Sequence, residues 1–244
     1  MKKAKLLILP LLLVSACSTR NSLTDKTIVI GCSPTPHAEI LEAVKPQVEK
    51  EGYKLKIEVI QDYVTPNTLL NEGDLDANYF QHVPYLDDFN AKNNTNITWI
   101  TKVHFEPMGI YSYKHSDLNS TTKKIAIPND VSNGKRARDL LSKYNMEGEI
   151  IEMEAQAIPS VLHDVDYGVI NGNYALAAMI ADRCIAAESS DSETALTNAN
   201  VIAITQKSLE KDYGWISVLK KVMTSDETRE FINTHFGSAV KAVF

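Results

Sequence analysis

A chain of 244 residues, 44% hydrophobic and 23% charged, has enough apolar material for one or two packed domains and too much for a disordered segment. Its 31 acids outnumber its 25 bases, giving a formal charge of −6 with no sustained basic run, so the electrostatic footprint of a nucleic-acid binder is missing. Nucleic acid is thereby set aside as a partner.

In chain order, Met1-Lys2-Lys3 with Lys5 forms a basic start and Leu6 to Val14 an apolar run, the pattern of a secretory signal peptide too short to span a bilayer. The run ends in Leu13-Val14-Ser15-Ala16-Cys17, which resembles the bacterial lipobox. An ordinary signal peptide with an incidental cysteine is the alternative, but Cys17 directly follows small residues and precedes the polar stretch Ser18-Thr19-Arg20-Asn21-Ser22. Residues 1–16 therefore read as a signal peptide, Cys17 as the lipidated residue and 17–26 as a tether. Acyl chains in the plural hold a protein stably on a membrane without spanning it. The nine residues from Ser18 to Lys26 reach about 16 Å root-mean-square if flexible. The expected location is the extracytoplasmic face of a cell membrane, either periplasmic or at the cell surface. Cys32 and Cys184 remain. An oxidising compartment permits a disulfide between them, but the reading puts them in different lobes, where two separate, mostly buried thiols are expected.

From Thr27 onward short β-branched runs alternate with helical patterns, which predicts βα units and a largely parallel sheet. Strands are expected at 27–31, 55–61, 77–80, 98–103, 109–113, 124–127, 149–154, 167–170 and 201–205. Helices are expected at 37–50, with Ile40, Leu41, Val44 and Val48 on one face and a break or kink at Pro46, and at 67–72, 84–92, 133–144, 158–163, 173–181, 215–224 and 227–236. No Pro/Gly-rich linker divides the chain, so two lobes would be joined by extended crossings, placed near Glu106–Tyr111 and Asn200–Thr205.

Three clusters could carry chemistry. In an extended Asp76–Tyr85, Asn78, Phe80 and His82 share one face, with Tyr79 and Gln81 on the other, making either a pocket wall or an ordinary strand end. The loop Ile127–Arg136 leads into a helix whose start, with the forked donors of Arg136, suits a carboxylate. The run Lys135, Arg136, Arg138 also fits a plain solvated helix face. Val169–Ala175 ends a strand in two amides and a glycine, where ligands of open α/β sheets sit, though Asn171 or Asn173 could serve as a helix cap. Nucleophile elbow, P-loop and paired-cysteine motifs are missing, which disfavours an enzyme. His37, His82 and His104 near one edge leave a divalent-metal-binding lipoprotein as an alternative.

The ordered segments NYFQHVPYL, KVHFEPMGIYS, IPNDVSNGKRA and VINGNYAL resemble the methionine-binding lipoproteins of bacterial ABC importers, the NlpA lipoprotein family. The likeness runs from TPHAEI to HFGSAVKAVF. It implies an α/β, two-lobed periplasmic-binding-protein-like fold of type II, with a hinge of two crossover strands. Lobe 1 is expected at 27–108 plus 205–244 and lobe 2 at 109–204. It further implies a methionine ligand, with D-methionine or a methionine dipeptide as alternatives, no cofactor, and an importer of two transmembrane and two ATPase subunits as partner. By the same likeness Arg136 takes the ligand carboxylate, Asn171 is a second polar anchor, and Tyr63, Phe80 and His82 hold the thioether in an aromatic slot. Asn78, His104 and Asn173 are further candidates. Thr35, Lys135 and Arg138 depart from the family pattern near the site.

Overall fold

The computed structural model describes residues 26–121 and 123–244; the expected signal peptide, Cys17 and all of the tether but Lys26 lie outside the described residues. The first strand, β1 (Thr27–Cys32), is apolar nearly throughout and buried, as a central strand covered on both faces must be. Its neighbour β2 (Lys54–Val59) exposes Lys54 and Lys56 alternately, a charge pattern that blunts a sheet edge. Between them helix α1 (Glu39–Lys50) buries Ile40, Leu41, Val44 and Val48, each contributing roughly 1.5–3 kcal/mol. It makes no fresh start at Pro46, because Val44 and Val48 are anchored in the core on either side. A turn, Pro34–Ala38, in which Thr35 keeps an extended conformation, leads into it.

Helix α2 (Thr65–Glu72), β3 (Ala77–His82), α3 (Val83–Asn93) and β4 (Ile97–Phe105) continue the first lobe. The second lobe holds β5 (Gly109–Tyr111), β6 (Lys124–Pro128), α4 (Val131–Lys143), β7 (Glu149–Met153), α5 (Ile158–Val161), β8 (Tyr167–Ile170), α6 (Gly172–Ala177) and β9 (Cys184–Ala187). After α7 (Glu193–Thr197) come β10 (Asn200–Thr205), α8 (Gln206–Glu210), α9 (Gly214–Met223), α10 (Asp226–Phe236) and β11 (Lys241–Ala242). One sheet has the order β11-β4-β10-β3-β1-β2 and the other β7-β6-β8-β5-β9.

The expectation of largely parallel sheets needs correction. Pairs β1–β2, β1–β3, β6–β7 and β6–β8 are parallel, while β10 runs antiparallel between β3 and β4, and β5 antiparallel between β8 and β9. Parallel neighbours require a crossover connection; strands arriving from the other lobe have none and insert in the opposite sense. The crossing expected near Asn200–Thr205 comes just before that strand. That strand lies wholly in the first sheet, so the chain returns through residues 188–199, and residues 200–204 group with the first lobe rather than the second. The outward passage, Glu106 to Met108, joins β4 to β5. Strands β9 and β11 and helices α7 and α8 were not foreseen.

Helices cover both faces of each sheet. Ile28, Ile30 and Cys32 pack with α1, α9 and α10, whereas Val29, Phe80 and Ala203 pack with Leu70, Leu86 and Phe89. In the second lobe Ile125 and Val169 meet Leu140 and Leu141, and Ala126 and Ile170 meet Ile158 and Tyr174. Cys32 is a free buried thiol, pushed up to about 12 by burial, and Cys184 a free exposed one rather than a buried one. Among the described residues no helix is long and apolar enough to cross a membrane.

Candidate ligand-binding site

Strand β3 is buried at all six positions, and its ladder with β10 sets Gln81 opposite Val201 but Tyr79 opposite Ile202. Phe80 is thus the extra residue of a β-bulge, and the strict alternation expected for this segment breaks there. Gln81 ends on the side of Asn78: its amide donates to Asn67 Oδ1 at 2.7 Å and Asn78 Oδ1 at 3.0 Å, while Asn78 donates to Asn67 Oδ1 at 2.8 Å. Asn78 therefore ties β3 to α2 and does not border the cavity. At the end of β3, His82 caps α3 by accepting from Tyr85 N at 3.2 Å on Nδ1, so its Nε2–H points across to Asn133 Oδ1 at 3.1 Å.

Helix α4 begins two residues earlier than expected, with Asp130 as its cap accepting from Asn133 N at 2.9 Å. The three cations on it separate. Lys135 pairs with Asp139 at 2.5 Å and Arg138 with Glu152 at 2.5 Å, both in solvent, whereas Arg136 turns inward and is 8% exposed. Its Nε donates to Glu188 Oε1 at 2.7 Å, its Nη2 to Glu188 Oε2 and, at 2.8 Å, to the carbonyl of Glu106, and its guanidinium lies 5.4 Å from the Phe105 ring centroid.

These pieces surround a cavity of about 20 Å³ between the lobes, room for little more than a water molecule, so an amino-acid-sized ligand requires the lobes to part. Tyr63, Phe80, His82, Arg136, Asn171 and Asn173 all line it. So do Gln81, Tyr85, Glu106, Asn133, Gly172 and Asn200, which the sequence reading did not single out. One wall is aromatic: the Tyr63 ring is 5.9 Å from Phe80, 5.8 Å from Tyr85 and 4.9 Å from Tyr174. Bonds from lobe to lobe close it, among them Tyr63 Oη to Asn173 Oδ1 at 2.6 Å and Tyr174 Oη to the carbonyl of Gln61 at 3.0 Å. Gly172 allows the passage to come close, since a Cβ there would lie 2.6 Å from Glu106 Cβ.

His104 does not reach the cavity either. It lies behind it, with Nδ1 against the Tyr79 hydroxyl and Nε2 donating to Glu106 Oε1 at 2.6 Å. His37 joins it there, Nε2 donating to Asn200 Oδ1 at 3.0 Å. Among the described residues the cluster able to hold an ion is His37, His104 and Glu106, with Glu106 in the place the sequence reading gave to His82. Burial holds His37 down to about 4, His104 to about 3 and His82 to about 4, and pushes the Glu106 carboxyl up. A histidine depressed below its unfolded value of about 6.5 stabilises the fold above that value and loses the contribution as pH falls toward the folded value. Between pH 6.5 and 5.5 each of the three histidines should remove about 1 kcal/mol, opposed by the raised carboxyls of Glu106 and Asp88, which gain as pH falls. The expected result is a urea midpoint that drops clearly across that interval; a flat profile would show that these imidazoles are not buried neutral.

Two α/β lobes, joined by two passages and closed over a polar cavity, define a two-lobed substrate-binding protein of the periplasmic-binding-protein type. The model of the NlpA lipoprotein family matches residues 28–148 and 147–244, and the chain belongs to that family. It is 29% identical over 264 aligned positions to the methionine-binding lipoprotein MetQ of Bacillus subtilis, covering 94% of this chain and 93% of that one. A nutrient binding protein from Burkholderia cenocepacia, solved bound to methionine, superposes with a TM-score of 0.82 at 36% identity over 89% of this chain and all of that one. A lipoprotein structure from Ruminococcus gnavus gives 0.85 at 40% identity over 90% of this chain and all of that one.

Proposed function

We propose that this protein captures free methionine outside the membrane and hands it to an ABC importer, held at the membrane by lipid on Cys17 and carrying out no covalent chemistry. The observation that carries the reading is the lining of the interlobe cleft by one cation, one carboxylate and an aromatic wall, the complement of a zwitterion with a thioether side chain once the lobes part to admit it. Its likeness to a protein solved with methionine supports the choice of ligand.

In this reading the lobes close on the ligand as a two-state hinge. Arg136, fixed by Glu188 through Nε and Nη2, offers Nη1 to the ligand carboxylate. Glu106 takes the ammonium group, the role left open by the sequence, and Asn171 and Asn200 supply neutral anchors. Tyr63, Phe80, Tyr85 and the neutral ring of His82 surround the sulfur, a contact worth roughly 0.3–1.5 kcal/mol. Asn173 holds Tyr63 in place across the cleft.

Capped analogues test the two charged ends separately. N-acetylmethionine removes the ammonium and methionine methyl ester the carboxylate, and each should bind about 30-fold or more weakly than methionine in calorimetric titration, since an unpaired buried charge costs at least about 2 kcal/mol. Equal affinity for the acetylated form would remove Glu106 from its proposed role.

A further inference from the structure

Behind the cavity lies a group that amino-acid binding uses only in part. His37 comes from the turn after β1, His104 from the end of β4 and Glu106 from the outward passage, and all three are buried. Both imidazoles turn Nε2 toward the same carboxylate oxygen: Glu106 Oε1 lies 2.6 Å from His104 and 3.5 Å from His37. The three donor atoms fall within 4.8 Å of one another. Donors around a tetrahedral zinc, each about 2.0–2.1 Å from the metal, are spaced about 3.3 Å apart, so the two measured edges bracket that spacing.

The surroundings also suit an ion. Glu106 and Asn200 line the cavity, and Asn200 Oδ1, 3.0 Å from His37 Nε2, places a neutral oxygen on the cavity side of the group. The Tyr79 hydroxyl engages the far nitrogen of His104 and orients its ring, as outer-shell partners of metal-bound histidines do. His37 Nδ1 is buried with no hydrogen-bond partner. We propose that His37, His104 and Glu106 form a site for a divalent transition-metal ion of the Zn²⁺ class, filled in competition with the amino acid.

Binding needs no redox partner. Each imidazole moves its proton from Nε2 to Nδ1, where His104 donates it to the Tyr79 oxygen, and each freed Nε2 lone pair binds the metal beside the carboxylate. Competition rests on the reading that Glu106 receives the ligand ammonium; the metal site itself does not depend on it.

The full chain, dialysed free of metal and amino acid, is titrated with ZnCl₂ in a calorimeter. One Zn²⁺ per chain is expected, with affinity lowered at least about 100-fold in both His37→Gln and His104→Gln. Absence of stoichiometric Zn²⁺ binding, or binding unchanged in both variants, overturns the site. Should either variant fail to fold, Co²⁺ on the parent chain decides: tetrahedral visible bands are expected, and the spectrum of the hexaaquo ion contradicts the proposal. A methionine titration is run alongside. Methionine binding without Zn²⁺ binding defeats the metal site alone, whereas Zn²⁺ binding without methionine binding defeats the amino-acid reading and leaves the site standing.

Discussion

Arg136→Ala is expected to weaken methionine binding at least 100-fold and to lower the stability of the ligand-free protein by about 3–5 kcal/mol. The two losses share a cause. Arg136 and Glu188 are a buried pair, 8% and 9% exposed, and removing the cation strands Glu188 in a place where a lone carboxylate is costly. The same deletion takes from the ligand carboxylate its charged donor, worth about 2–5 kcal/mol where the partner stays buried. Arg136→Lys keeps the charge but not the fork, so it should recover stability better than affinity. Chemical denaturation and titration calorimetry on the same samples separate these effects. Near-wild-type binding by a folded Arg136→Ala would remove the residue from the site.

Glu106→Gln is expected to act in the opposite way on stability: affinity for methionine falls by about 30-fold or more, while the ligand-free fold is unchanged or firmer. Burial raises the Glu106 carboxyl, which means the ionised form is held at a cost in the empty protein. Glutamine keeps the shape and removes that cost, along with the charge the ammonium needs. The pH dependence follows with the same sign. Because the folded-state value lies above the ordinary 4.5, a ligand that requires the ionised carboxylate should bind progressively more weakly as pH falls through it, and that dependence should vanish in Glu106→Gln. Binding that weakens equally with pH in both proteins would assign the titration to another group, His82 being the first candidate.

Local patterns in the chain announced much of the fold. The α1 face, the strand end at Ile170 and the βα order could all be read from periodicity and punctuation, whereas the start of α4 at its Asp130 cap lies two residues ahead of the expected one. What escaped depends on partners far away in sequence. Asn200 looks like one more residue ahead of an apolar strand, and becomes a cavity wall because β10 inserts between β3 and β4. Phe80 was expected to face the pocket by strict alternation; it does line the cavity, but as a bulge residue, and the same bulge moves Gln81 to the side of Asn78. Of Lys135, Arg136 and Arg138, spacing alone cannot say which turns inward. Glu188 answers that question from 52 residues away.

Thermal unfolding of the purified protein, cleared of bound ligand by dialysis, against L-methionine, D-methionine, a methionine dipeptide and glycine, tests the central claim most directly. Ligand at 100 times its dissociation constant adds about 2.7 kcal/mol, a shift that a melt resolves easily. L-methionine is expected to raise the midpoint and glycine to leave it unmoved. A shift with only the D-form or the dipeptide would keep the transport role and change the ligand, and no shift with any methionine compound would contradict the assignment of this cavity.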